Sequence, residues 1–106
     1  MKPVRLAPSA RAQLREIRKF SAERWGIDRA DRYIRELSAT FDAIAAGRVH
    51  GRKVPPTIAP DGYFCSHGSH LIYWQASSDG AVAIVAVLHQ RMDQVSRAQE
   101  AFKNIY

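Results

Sequence analysis

The chain has 106 residues, and its sixteen Lys and Arg exceed its ten Asp and Glu by six. This length fits a single domain, which we expect to span residues 1–106, and an apolar content of 46% argues against disorder. The single cysteine, Cys65, excludes an intramolecular disulfide, and no apolar run is long enough to cross a bilayer. We therefore expect a small, basic protein of the cytoplasm.

The positive charge is concentrated in the first half of the chain. Residues 1–53 hold thirteen Lys and Arg against six acidic residues, whereas residues 54–90 hold no Lys or Arg. A basic half next to a nearly uncharged half favours an acidic or polyanionic partner for the first half. A solvated helical face with interleaved acids is the alternative.

The first predicted elements are a short strand over residues 3–7 and a helix that begins at Pro8. Proline suits the first helical position, although Ala7 offers no side-chain cap. Gly26 is a natural stop for this helix. One helical stripe is predicted to face the core, with Phe20 beside it: Ala10, Leu14, Ile17, Ser21 and Trp25.

A second helix is predicted from a cap at Asp28 to Gly47. Its apolar residues recur at helical spacing: Ala30, Tyr33, Ile34, Leu37, Phe41, Ile44 and Ala45. The pairs Asp28–Arg32 and Asp31–Arg35 are spaced to form ion pairs on its outer surface. Two such helices joined at a glycine predict a helical hairpin.

Strands are predicted after a loop over residues 47–62. They cover residues 63–66, 70–76 and 81–88, and Asp79–Gly80 is typical of a tight hairpin turn. Leu71 and Tyr73 are expected on the opposite face from Ile72 and Trp74. The last strand is apolar throughout, which indicates burial on both faces. Ala98, Ala101, Phe102 and Ile105 are spaced for a short terminal helix. The order predicts an α+β fold of type βααβββ, with the helical hairpin on a small twisted antiparallel sheet.

Residues that could carry chemistry lie mainly in the strands. Cys65, His67, His70 and His89 are types that bind zinc, but their spacing matches no zinc motif. Strand alternation is expected to place Cys65 and His67 on one face and His70 on the other. We therefore predict no metal and no cofactor. His70, His89 and Arg91 lie at strand ends and could converge as a ribonuclease site, although structural roles are the more common use of such residues.

Two groups of motifs, taken in order, resemble one known family. The helical group is Pro8-x-Ala10-x-x-x-Leu14-x-x-Ile17, Arg24-Trp25-Gly26, Ala30-x-x-Tyr33-Ile34-x-x-Leu37-x-x-x-Phe41 and Gly51-Arg52. The sheet group is Ser69-His70-Leu71-Ile72-Tyr73, Asp79-Gly80 and Val87-Leu88-His89-Gln90-Arg91-Met92-Asp93. Together they resemble the ParE-like toxins of bacterial type II toxin–antitoxin modules, in the RelE/ParE superfamily.

The resemblance implies a function as well as the βααβββ fold. Proteins of the ParE type inhibit DNA gyrase and arrest growth without being enzymes, and a cognate ParD-like antitoxin neutralises them in a hetero-oligomeric complex. The RelE branch instead cuts mRNA on the ribosome, using arginines on the sheet. Here Arg91 alone matches, and His70 stands where a catalytic arginine is expected, which favours the branch that is not a nuclease. Gln13, Arg18 and Ala7 also depart from residues common in relatives, namely an acid, an aromatic and a hydroxyl residue.

The sequence therefore predicts a growth-arresting toxin with two binding surfaces. We expect the target to contact His89, Arg91, Met92 and Asp93. We expect the acidic antitoxin to contact Arg11, Arg15, Arg18, Tyr63, Phe64 and Trp74. An mRNA endonuclease and a non-toxic antitoxin-binding relic are the alternatives.

Overall fold

One sheet separates two helical layers in the computed structural model, which describes residues 3–105. The helices are α1 (Pro8–Trp25), α2 (Ile27–Ala45) and α3 (Gln94–Lys103). The strands are β1 (Val4–Leu6), β2 (Arg52–Lys53), β3 (Gly62–His67), β4 (His70–Ala76) and β5 (Val82–His89). The predicted α+β class and the helical hairpin on the sheet are confirmed.

The sheet has the strand order β1-β5-β4-β3-β2 and is mixed. The predicted antiparallel pairing is confirmed for β2, β3, β4 and β5, and it was wrong for β1, which pairs with β5 in parallel. The two helices between β1 and the other strands form a long crossover, which is the kind of connection that parallel pairing needs. The predicted loop over residues 47–62 also contains the short strand β2, which pairs with Tyr63 and Phe64.

The two hairpin helices meet at Gly26, whose φ of 94° favours glycine. α1 begins at Pro8 after the uncapped Ala7, as predicted. α2 begins at Ile27, so Asp28 lies inside its first turn and the prediction that it caps the helix was wrong. Neither predicted ion pair on α2 forms, and the Asp31 carboxylate instead accepts a hydrogen bond at 2.8 Å from Arg18 on α1.

The apolar face of α2 packs on one side of the sheet, as predicted. Leu37 has no exposed surface, and the hairpin side of the core is completed by buried residues from both layers: Ala10, Phe41, Ile44, Ala45, Ile72, Trp74, Val82, Ile84 and Val87. Hydrophobic burial of this layer is the main force that holds the hairpin on the sheet.

The predicted terminal helix, α3, covers the opposite face. Asp93 caps it by accepting a hydrogen bond from the Ser96 N–H at 3.3 Å. Buried residues from α3, the sheet and the loop after β2 form this second side of the core: Val54, Ala59, Tyr73, Val85, Ala86, Leu88, Ala98 and Ala101. β5 is therefore covered on both faces, and the predicted alternation of Leu71 and Tyr73 against Ile72 and Trp74 is confirmed.

A β-bulge interrupts the pairing of β4 with β5. Tyr73 pairs with Ala86 and Trp74 with Ile84, so Val85 is an extra residue in β5. Two side chains of α1 bind this part of the strand. Ser9 donates to the Val85 carbonyl at 2.7 Å, and the Gln13 side-chain oxygen accepts from the Val87 N–H at 2.7 Å.

Candidate functional site: a groove and the turn after β5

A groove of about 750 Å³ lies between the helical hairpin and the ends of β4 and β5. Its apolar walls come from Ile17, Phe20, Trp25, Tyr33 and Met92. Trp25 was predicted on the core face of α1, but 49% of its surface is exposed, as is 58% of that of Phe20. The sheet does not extend beneath this end of the helix, so these two rings pack edge to face on each other at 6.2 Å instead.

Charged side chains of both signs surround the groove. Glu16 and Glu36 line it together with Arg29 and Arg32. The guanidinium of Arg29 lies 5.2 Å from the centre of the Trp25 ring, and that of Arg24 lies 5.5 Å from it. Cation–π contacts of this kind hold an exposed indole in place. The open end of the groove is thus an aromatic surface with cations at its edge.

Three histidines share the hairpin face of the sheet. The expectation that His70 faces away from Cys65 and His67 was wrong. His67 and His70 flank a tight turn and pair directly with each other, and His70 pairs with His89. Directly paired residues of antiparallel strands project on the same side of a sheet, which strand alternation within each strand cannot reveal.

His70 is the buried member of this group. Its Nδ1 lies 2.6 Å from the Tyr33 hydroxyl, and its ring contacts that of His89 edge to face at 5.4 Å. Burial, followed by the neighbouring His89 and His67, lowers the pKa of His70 from 6.5 to about 4. Burial also raises the pKa of Tyr33. The Tyr33 hydroxyl also donates to the His67 carbonyl at 3.3 Å, and the tautomer of the neutral imidazole sets whether His70 Nδ1 accepts from this hydroxyl or donates to it.

The chain leaves β5 through a hydrogen-bonded turn over residues 89–92. The Met92 N–H donates to the His89 carbonyl at 2.9 Å, and the Arg91 N–H donates to His89 Nδ1 at 3.1 Å. His89 and Met92 line the groove, and Arg91 is exposed. Asp93 follows as the cap of α3, and hydrogen bonds from Ser96 lower its pKa. Three of the four residues predicted to contact a target thus lie at one end of the groove, and Asp93 has a structural role.

The residues predicted to bind the antitoxin do not form one surface. Arg11, Arg15 and Arg18 are exposed on α1. Tyr63 stacks on Trp74 at 6.1 Å on the hairpin side, whereas Phe64 stacks on Tyr73 at 5.8 Å on the α3 side. Trp74 is only 8% exposed, because Tyr63 and the hairpin core cover it. Little of the Trp74 side chain is therefore available for the predicted contact with the antitoxin.

Other residues of the site were not predicted from the sequence. Phe20 lies beside the apolar stripe of α1, and Gln94 follows Asp93 as an ordinary polar residue. One sequence signal could have indicated Phe20 as part of the site. It lies five residues before Trp25, near the end of a helix that stops at Gly26. Across residues 3–105, no group of three or more His, Cys, Asp or Glu side chains is arranged to hold a metal ion. No helix in the same range is long and apolar enough to span a membrane.

Comparisons with known proteins agree with this architecture. The sequence profile of the family described as the ParE toxin of the type II toxin–antitoxin system parDE matches residues 4–94. The chain is 41% identical to Toxin ParE1 of Mycobacterium tuberculosis over 88 residues, which cover 83% of this chain and 89% of the relative. It is 39% identical to Toxin ParE1 of Caulobacter vibrioides over 94 residues, covering 88% and 94% of the two chains.

A solved structure shares the fold. A chain of a chromosomal ParDE toxin–antitoxin system from P. aeruginosa superposes with a TM-score of 0.68 at 14% identity, covering 84% of this chain and 96% of that one. The fold and the family profile together define the class of protein: an α+β toxin of a type II toxin–antitoxin system. The chain belongs to the ParE toxin family and is the toxin of a ParDE system, which implies an antitoxin as its partner.

Proposed function

We propose that this toxin, acting in the cytoplasm as one domain over residues 1–106, arrests growth by inhibiting DNA gyrase and is not itself an enzyme. The observation that carries the choice of surface is the turn after β5. Arg91 is exposed on this turn, and it is the first cation after a stretch of 37 residues, 54–90, that has none. His89 and Met92 flank it at the end of the groove.

The chemistry of this turn suits a protein–DNA target. The Arg91 guanidinium has a planar set of N–H donors that fits a carboxylate of gyrase or a phosphate of its bound DNA. Met92 is 44% exposed and adds an adaptable apolar contact beside it. Asp93 contributes indirectly, because it fixes the start of α3.

In this proposal a ParD-like antitoxin neutralises the toxin by binding in the groove beside the turn after β5, so that it covers the surface that contacts the target. Exposed aromatic rings beside arginines are the side chains that most often dominate a protein interface. Phe20 and Trp25 therefore take the anchoring role that Trp74 cannot have. Acidic residues of the antitoxin would face Arg11 and Arg15, since complementary charge guides association. An apolar segment in the groove would also contact His89 and Met92 and so block the target surface.

The test of the target is a plasmid cleavage assay with purified gyrase, ATP and supercoiled DNA. The wild-type toxin is expected to convert plasmid to the linear form. Arg91→Ala is expected to need at least about tenfold more toxin, since a charge-assisted contact contributes about 1.5–3 kcal/mol. Arg35→Ala, which removes an exposed arginine on α2, is the matched control and should match the wild type. Equal activity of the Arg91 variant would contradict the proposed surface.

The test of the antitoxin surface is the affinity of the complex. Trp25→Ala is expected to weaken antitoxin binding by about tenfold or more, as for a buried aromatic anchor. Phe64→Ala, on the α3 side of the sheet, serves as the comparison. If Phe64→Ala weakens the complex and Trp25→Ala does not, the antitoxin binds the other face.

RNA cleavage is the second candidate, because His70 and His89 meet at the groove floor. Each has Nδ1 occupied by a hydrogen bond, which leaves Nε2 as the atom for general acid–base chemistry. A translation reaction with purified ribosomes distinguishes the two functions. The gyrase proposal predicts intact mRNA, and mRNA breaks that His89→Ala abolishes would support the nuclease instead. Absence of any growth defect when the toxin is induced alone would indicate a non-toxic relic.

A further inference from the structure

Gln94, the first residue of α3, contacts both ends of the turn that carries Arg91. Its side-chain amide donates to the His89 carbonyl at 2.7 Å and to the Met92 carbonyl at 3.1 Å. Each of the two amide hydrogens has its own acceptor, one at either end of the turn. The turn is thus held by the side-chain amide of Gln94 as well as by its own backbone hydrogen bond.

The remaining atom of the Gln94 amide is anchored in the core. Its oxygen accepts a hydrogen bond at 2.8 Å from the hydroxyl of Tyr73, whose residue is 3% exposed. Tyr73 is itself fixed by stacking on Phe64 and by an edge-to-face contact with Phe102 at 6.3 Å. Burial raises the pKa of Tyr73, so its hydroxyl stays protonated and remains a donor. One amide therefore links the rigid α3 side of the core to the exposed turn.

We propose that Gln94 and Tyr73 are positioning residues for toxicity: their hydrogen bonds fix the turn over residues 89–92 and so orient Arg91 toward the target. This inference rests on the proposed function of the turn. A long arginine side chain loses much conformational freedom on binding, and a fixed backbone reduces what remains to be ordered. Neither residue needs to touch the target.

A pair of substitutions separates this role from a role in stability. Gln94→Leu alone leaves the buried Tyr73 hydroxyl without its acceptor, which destabilises the fold. The double variant Gln94→Leu/Tyr73→Phe removes both partners, so its thermal unfolding should lie close to that of the wild type. The two turn carbonyls nevertheless lose their side-chain donor. Gln99→Leu is the matched control, because Gln99 lies on the same helix and its amide donates to a backbone carbonyl of another loop, that of Thr57, at 2.8 Å.

The experiment compares wild type, the double variant, Gln99→Leu and Arg91→Ala in two measurements. The first is amide hydrogen exchange at residues 90–92, followed by NMR. The second is the toxin concentration needed to linearise plasmid with gyrase and ATP. The double variant is expected to exchange faster at the turn and to need about five- to tenfold more toxin, as expected for the loss of one or two hydrogen bonds. Gln99→Leu should behave as the wild type in both.

The outcomes distinguish the inference from the proposed function. Unchanged exchange in the double variant overturns the inference, because the turn is then fixed without Gln94. Wild-type cleavage by the double variant, together with impaired cleavage by Arg91→Ala, overturns the inference and leaves the target surface standing. Wild-type cleavage by Arg91→Ala overturns the proposed surface, and the positioning role fails with it.

Discussion

The two halves of α1 have the same helical geometry and opposite relations to the sheet. In the first half, Ala10 is fully buried, and Ser9 and Gln13 bind the backbone of β5. In the second half, Phe20 and Trp25 project over open space. Four residues of helix rise about 6 Å, close to the span of two strand residues. Continuing that register from Gln13 above Val87 brings Ile17 above His89, where β5 ends. The groove therefore exists because the helix is longer than the strand that it follows.

The largest expected difference is in packing, between the core beneath the helical hairpin and the overhang, which is the part of α1 around Phe20 and Trp25 that extends beyond β5. Leu37→Ala removes a fully buried side chain from the hairpin core and should lower the free energy of unfolding by about 2–5 kcal/mol. Phe20→Ala removes an aromatic ring of similar hydrophobicity from the overhang and should change it by less than about 1 kcal/mol. Urea unfolding of the two variants measures both values, and similar losses would show that the overhang is part of the core.

The pH dependence of stability tests the floor of the groove. The folded protein holds the pKa of His70 at about 4, below its unfolded value of 6.5, so the unfolded chain binds more protons between these values. Stability from this group is complete above pH 6.5 and is lost as the pH falls toward 4, by about 1–3 kcal/mol. His70→Gln should flatten this part of the profile in thermal unfolding. An unaltered profile in that variant would assign the slope to other groups.

The bound half of α1 can be weakened at one hydrogen bond. Gln13→Leu leaves the buried Val87 N–H without an acceptor and should cost about 1–3 kcal/mol. Gln13→Glu retains a side-chain oxygen at the same place, so it should remain within about 1 kcal/mol of the wild type. Chemical denaturation measures the two variants, and equal losses would contradict the role of the oxygen.

The smallest effect is expected on the outside of the hairpin. Asp31→Asn removes the ion pair with Arg18, in which both side chains are well exposed, and should change stability by less than about 1 kcal/mol. Raising the salt concentration should remove what difference there is. A larger loss that persists in high salt would indicate that the pair does more than bridge two solvated helices.

Periodicity predicted the parts of the fold in which one face is buried throughout. The apolar face of α2, the alternation in β4 and the apolar run of β5 all follow from burial, and the motifs indicated the family. The direction of β1 was not predictable, because three residues of strand carry no signal for parallel pairing. The α2 cap was predicted wrongly because Asp28 is as favourable inside a first turn as at a cap.

The candidate site was predicted only where consecutive residues carry it. His89, Arg91 and Met92 lie close together in the sequence, so their position after the last strand indicated one surface. The groove depends on how far α1 extends beyond β5, which is a tertiary relation. The three histidines share a face because of the register across a hairpin turn, and Gln94 acquires its role from a tyrosine 21 residues away.

The extra residue Val85 determines which side chains in the last part of β5 face the helical hairpin. Before it, Val82 and Ile84 point toward the hairpin, and after it, Val87 and His89 do. In an uninterrupted strand, even-numbered residues would continue on that side and His89 would point toward α3. The bulge thus shifts the side-chain alternation of β5 by one residue and places the His89 imidazole in the groove. Deleting Val85 would remove the bulge and the extra residue together, so Val87 and His89 would keep their side of the sheet in a regular strand one residue shorter.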